Sequence, residues 1–144
     1  MVYGSNPFVV PLVGAHFRPP AKAIIQSLPT GHPLELRPEP SNPYDPNAVA
    51  VWIDAKSIPD DALEELRFTL PGMGADVESL LEQRFWQLGY VAKEIAATIQ
   101  APISALIDLN NTETALSGEG LFMQGLACSL SFGGDGKPQV KFEI

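Results

Sequence analysis

The chain has 144 residues and a mass of 15.5 kDa, with 45% hydrophobic and 18% charged residues. That is the size of one compact domain and too greasy for a disordered chain. Seventeen acids against nine bases give a net charge of −8 and a pI near 4.6, the reverse of the basic balance of a protein that grips duplex nucleic acid along its length.

The first strand is predicted at Phe8 to Ala15, where Pro11 implies an edge position or a bulge because proline cannot donate to a ladder. Pro19-Pro20 then open a helix to about Ser27, with Ala21, Ile24, Ile25 and Leu28 at helical spacing. Leu34 and Leu36 alternate with Glu35 and Arg37, and after a loop Val49, Val51 and Ile53 alternate with Ala48, Ala50 and Trp52, which predicts two paired strands. From Asp54 to Phe85 the pattern changes to helical pieces around Asp60 to Leu66 and Ala75 to Arg84, an insertion between two strands. A further helix is expected over Lys93 to Gln100, where Ile95, Ala96 and Ile99 share a face. Alternation then predicts strands at Ile103 to Leu109, Leu126 to Phe132 and Val140 to Ile144, with a glycine-rich turn at 133–138 before the last. The fold class is therefore mainly β: a small OB-like or SH3-like β-barrel with two short helices and an acidic, partly helical insertion, as one domain over residues 1–144.

Charge is unevenly placed. Eight of the acids and two of the bases lie between Asp54 and Glu82, a net of −6, which leaves −2 for the rest of the chain. Asp60, Asp61, Glu64 and Glu65 read as a solvated helix face. The lone Cys128 excludes an internal disulfide, and His16 and His32 lack the spacing and partners of a metal site. Residues 1–7 carry no basic segment ahead of an apolar run, and no stretch of about 18 apolar residues occurs. A cytoplasmic protein that uses no membrane, metal or cofactor is expected.

The most informative stretch is Arg37 to Val49, whose four prolines at 38, 40, 43 and 46 stiffen a loop that presents Asn42, Tyr44 and Asp45. The loop fits a binding site. It equally fits an ordinary Asx turn in which Asn42 and Asp45 cap backbone amides and Tyr44 covers the core edge.

Glu39 to Val51 resembles the signature of the HIRAN family: a glutamate-proline lead, Asn-Pro-Tyr-Asp, a spacer, Asn-Ala-Val and a strand. Val13-Gly14-Ala15-His16-Phe17 is similar to that family's first strand and aromatic. Leu88 to Ala96 is similar to its glycine-aromatic strand and lysine-bearing helix, with a weaker likeness at Leu121 to Phe132. The resemblance implies an OB-related barrel that captures the 3′-hydroxyl end of single-stranded DNA, without catalysis of its own. It implies that Phe17 and Tyr44 hold the terminal base, since any base can stack on an aromatic face. It further implies that Asp45 accepts from the terminal hydroxyl, Asn42 contacts the terminal nucleotide, Lys93 faces a phosphate and Phe122 closes the pocket. His16 stands where end-binding members often have arginine, Arg18 follows it as a substitute, and Tyr90 replaces a histidine.

The expected function is binding of a single-stranded DNA 3′ end in repair or processing, by a stand-alone module or an adaptor to a helicase or nuclease. The sequence supports no enzymatic activity: Asp45 has no metal partners, and no Ser, His and Asp grouping has a nucleophile context. The alternative is an acidic protein-interaction module in which the insertion supplies the function on an inherited barrel.

Overall fold

A computed structural model describes residues 8–15, 18–117 and 125–142. Six strands, β1 (Phe8–Val13), β2 (Pro33–Pro38), β3 (Val49–Asp54), β4 (Phe85–Val91), β5 (Leu126–Phe132) and β6 (Pro138–Phe142), close an antiparallel barrel in the order β1-β4-β3-β2-β5-β6. Four helices accompany it: α1 (Pro19–Ser27), α2 (Asp60–Thr69), α3 (Val77–Gln83) and α4 (Lys93–Ser117). The barrel-centred expectation holds, as do the β2–β3 pair and the β5–β6 hairpin, whose turn is tied by Gly133 N–H to Lys137 O at 2.9 Å.

Two expectations need correction. Residues 103–109 are not a strand; they continue the helix begun at Lys93, which is not short but runs for 25 residues through Pro102. Ile103 and Ile107 are buried while Ala105 and Leu109 are exposed, so the stripe is Ala96, Ile99, Ile103, Ile107, with helical spacing. Residues four apart satisfy both periods, and tertiary packing decided between them. The second correction concerns Pro11. A closed barrel has no edge strand, and β1 pairs with β6 over Phe8 to Pro11 and with β4 over Leu12 and Val13. Pro11 sits at the end of the β6 ladder, where a missing N–H does least damage, and its carbonyl accepts from Ala92 N–H at 3.2 Å.

The core is one connected apolar cluster. Val10, Leu36, Val49, Val51, Leu88, Leu130 and Val140 fill the barrel, α1 adds Ile24 and Ile25, and α4 adds Ile99 and Ile103. The segment between β3 and β4 joins the same cluster through Ala62, Leu66, Leu70, Val77 and Leu80. Its acids Asp60, Asp61, Glu64 and Glu65 face solvent, so α2 is an amphipathic helix that packs one stripe against α1 and α3.

A bulge in β4 shapes the face that carries Tyr90. Val51 pairs with Gly89 but Trp52 pairs with Gln87, leaving Leu88 as the extra residue. Regular alternation would put Leu88 and Tyr90 on one face; the bulge lets Leu88 enter the core while Tyr90 stays half-exposed. Gly89 is required beside it, because a Cβ there would collide with the carbonyl oxygen of Val13.

Candidate nucleic-acid interface

The Arg37–Val49 loop is built by its own polar groups. Asn42 Oδ1 accepts from Tyr44 N–H at 2.9 Å and Asp45 N–H at 3.2 Å, while Asn42 Nδ2 donates to Glu39 Oε1 at 3.1 Å. Asp45 Oδ1 accepts from Asn47 N–H at 3.0 Å. The Asx-turn geometry is therefore present. Tyr44, however, is 95% exposed and covers no core edge. Asp45 Oδ2 accepts no hydrogen bond from the described residues.

The loop is also pinned from a distance. Gln100, from α4, donates through Nε2 to Pro46 O at 2.6 Å and to Ala48 O at 3.2 Å. Sequence reasoning missed this residue: it is 54 positions from Pro46, and nothing local distinguishes it from any other helical glutamine.

Five of the eight sequence-predicted site residues line one cleft of about 320 Å³: Asn42, Tyr44 and Asp45 from the loop, Tyr90 from β4 and Lys93 at the start of α4, with Val13 and Val91 as apolar wall. β1, β4 and the loop meet because Val13 pairs with Tyr90 and Tyr90 with Ala50, directly after the loop. Lys93 is exposed, forms no ion pair with a described residue and opens a helix whose N-terminal dipole adds to its positive potential. No residue of the acidic segment 54–85 lines the cleft. Arg18 is elsewhere, at the N-cap of α1, in a separate cleft with Trp52 and Trp86. Phe17 and Phe122 lie outside the described residues, as does His16.

The remaining reactive groups are structural. His32 is 5% exposed, with Nε2 2.9 Å from Ser57 Oγ, and Ser57 Oγ donates to Asp54 O at 2.6 Å. The serine proton is thereby used, so Nε2 carries the imidazole proton. Burial lowers the His32 pKa. Cys128 is buried, and desolvation, with the Glu35 charge second, pushes its thiol up to about 12. Arg84 donates from Nε and a terminal nitrogen to the two Asp54 oxygens, each at 3.1 Å, and this pairing lowers the Asp54 pKa. Among the described residues no cluster of three His, Cys, Asp or Glu is placed to hold a metal ion, and no helix is long and apolar enough to cross a membrane.

Comparison with known proteins adds one result. No curated protein and no solved structure matches the chain. The HIRAN domain family model matches residues 6–115, which include β1 to β4, most of α4, the proline-rich loop and every cleft residue. Two barrel strands, β5 and β6, lie beyond the match and complete the closure. With most of its length covered by that model, this chain belongs to the HIRAN domain family.

Proposed function

We propose that this chain, residues 1–144 acting as one module, binds single-stranded DNA at a free 3′-hydroxyl end through the cleft of Asn42, Tyr44, Asp45, Tyr90 and Lys93. HIRAN domains are modules that bind DNA ends, and the observation that carries the finer reading is the makeup of this cleft. It joins an exposed aromatic, a second half-exposed aromatic, a carboxylate with a free oxygen and a cation with no ion pair among the described residues. Tyr44 supplies a face on which any terminal base can stack. Asp45 Oδ2 accepts from the terminal 3′-hydroxyl and repels a 3′-phosphate in its place. Lys93 meets the adjoining phosphate. Phe17 and Phe122 are proposed to complete the pocket on the strength of the family pattern alone. The module performs no chemistry in this proposal; a helicase or nuclease partner acts on the end it holds.

The test is fluorescence anisotropy at low salt with oligonucleotides ending in 3′-hydroxyl or 3′-phosphate. The hydroxyl end should bind roughly tenfold or more tightly, and Asp45→Ala should abolish the difference. Equal binding to both ends by the unaltered protein would overturn end capture.

One observation favours a second reading. Phe68 is 87% exposed on α2, beside exposed Glu64 and Glu65. An acidic protein-interaction surface on the segment 54–85 would use it as an apolar anchor. Phe68→Ser should leave DNA binding intact and abolish any partner binding that depends on this surface.

A further inference from the structure

The second cleft, about 490 Å³, lies between the start of α1 and β4 and is lined by Arg18, Pro20, Trp52, Gln83, Trp86 and Gln87, with Ala21 at its base. It holds both tryptophans of the chain. Its one charged lining residue is Arg18, exposed and without an ion pair among the described residues; no carboxylate lines it. Arg37 stacks its guanidinium on Trp52 at 4.6 Å from the ring centroid, and its Nε donates to Glu35 Oε1 at 2.8 Å, which holds the indole in place. Trp86 is fixed by its Nε1 donating to Leu80 O at 3.2 Å. The cleft therefore offers two immobilised indoles, one exposed cation and two side-chain amides.

The cleft adjoins the first along the barrel. Tyr90 lines the first cleft and pairs with the buried Ala50 of β3, and the next outward pair on these strands, Trp52–Gln87, lines the second. Along β3 the step from one pair to the next is two residues, about 7 Å, and along β4 it is three residues through the bulge. After Val13, β1 no longer pairs with β4, and α1 packs beside β4 instead, which opens the second cleft.

We infer that this second cleft is a nucleotide subsite for the strand upstream of the captured 3′ end, with a base against Trp52 and Trp86 and its phosphate at Arg18. The chemistry matches: every base has a face for an indole and a guanidinium suits a phosphate, while the Gln83 and Gln87 amide nitrogens donate to Phe85 O at 3.1 Å and Gly89 O at 3.5 Å, which leaves their oxygens as acceptors for a base edge. No carboxylate is among the lining residues, so a phosphate at Arg18 meets no acidic side chain in direct contact. This inference rests on the DNA-binding reading of the first cleft.

The test uses the full chain with unlabelled oligothymidylates of two and six nucleotides, both ending in 3′-hydroxyl. Affinity is read by calorimetry and occupancy of the second cleft by tryptophan emission, since both tryptophans lie there and none lies in the first cleft. The longer strand should quench the emission and bind roughly tenfold more tightly than the shorter, the worth of one stacked base. Trp52→Leu should bring the longer strand down to the affinity of the shorter. Arg18→Gln, at an exposed side chain that folding does not need, should do so in part and lower the salt slope by about 0.7. Neither variant should alter binding of the two-nucleotide strand, whereas Asp45→Ala should weaken both strands. Binding of the longer strand with unchanged emission, and unchanged affinity in Trp52→Leu and Arg18→Gln, would overturn the subsite and leave end capture standing. Quenching that survives Asp45→Ala with no preference for a 3′-hydroxyl would overturn end capture and keep the subsite. No binding of either strand would overturn both.

Discussion

Tyr44 separates stability from function at the level of one residue. An aromatic 95% exposed contributes almost nothing to the core, so Tyr44→Ala should change stability in urea by no more than about 0.5 kcal/mol. The same substitution removes the proposed stacking face and should weaken binding of a 3′-hydroxyl strand by about 1–3 kcal/mol. Loss of stability without loss of binding would place Tyr44 in the fold rather than the site. Cys128 is the opposite case: a buried thiol whose pKa is pushed up to about 12 has almost no thiolate at a mildly alkaline pH of about 8. Iodoacetamide should leave native protein unmodified by mass and label it only in denaturant.

The elements are held in register by contacts that cross the chain. Gly89 lets β1 approach the bulge in β4, and a methyl group against Val13 O has to push backbone, not a flexible side chain. Gly89→Ala should therefore cost about 2–3 kcal/mol, at the upper end for overpacking, measured by urea denaturation. It should also displace Tyr90 and weaken DNA binding by more than the stability loss explains. Gln100 clamps the loop from α4 through two backbone carbonyls. Gln100→Ala should cost about 1 kcal/mol of stability and reduce affinity for a 3′-hydroxyl end, because the loop then has to be ordered on binding. The proline-rich loop and the Gly89-Tyr90 motif of β4 are legible in the amino-acid sequence alone. The bulge and the clamp are not, since a strand's alternation breaks only when neighbouring strands fix where each residue pairs. The helical continuation through Ile103 and Ile107 is hidden for a related reason: two isoleucines four apart are compatible with either period.

At the scale of the whole molecule, acid stability has a histidine origin and a carboxylate origin. His32 folds neutral with a lowered pKa but protonates near its ordinary 6.5 when unfolded, so the folded state binds fewer protons. Its contribution is complete above about pH 6.5 and falls as the pH drops through that value toward the lowered folded pKa. Asp54, lowered chiefly by its hydrogen bonds from Arg84, contributes above its ordinary value near 3.8 and loses that contribution as the pH falls through its folded value. Urea titrations across pH should show a first decline below about pH 6.5 that disappears in His32→Gln, and a second at lower pH that shrinks in Asp54→Asn, with Asp76 and Glu78, whose pKa values are also lowered, supplying the remainder. The net charge acts at the same scale. Because the acidic segment stays outside the cleft, affinity for a short 3′-hydroxyl strand should depend only shallowly on salt, with a log–log slope of about −0.7 to −1.4 for one or two phosphates.

The sequence by itself determined the family, most of the strands, the stiff loop and the segment that carries most of the acidity. Those features are local: proline spacing, alternation and charge runs act between near neighbours along the chain. Only the tertiary structure decided that Asn42, Tyr44, Asp45, Tyr90 and Lys93 share a cleft and that Arg18 belongs with Trp52 and Trp86 in another. It also decided that the acidic segment contributes no residue to the first of them. These depend on barrel closure and on a single extra residue in β4, through pairings between strands far apart in the chain whose register no local pattern encodes.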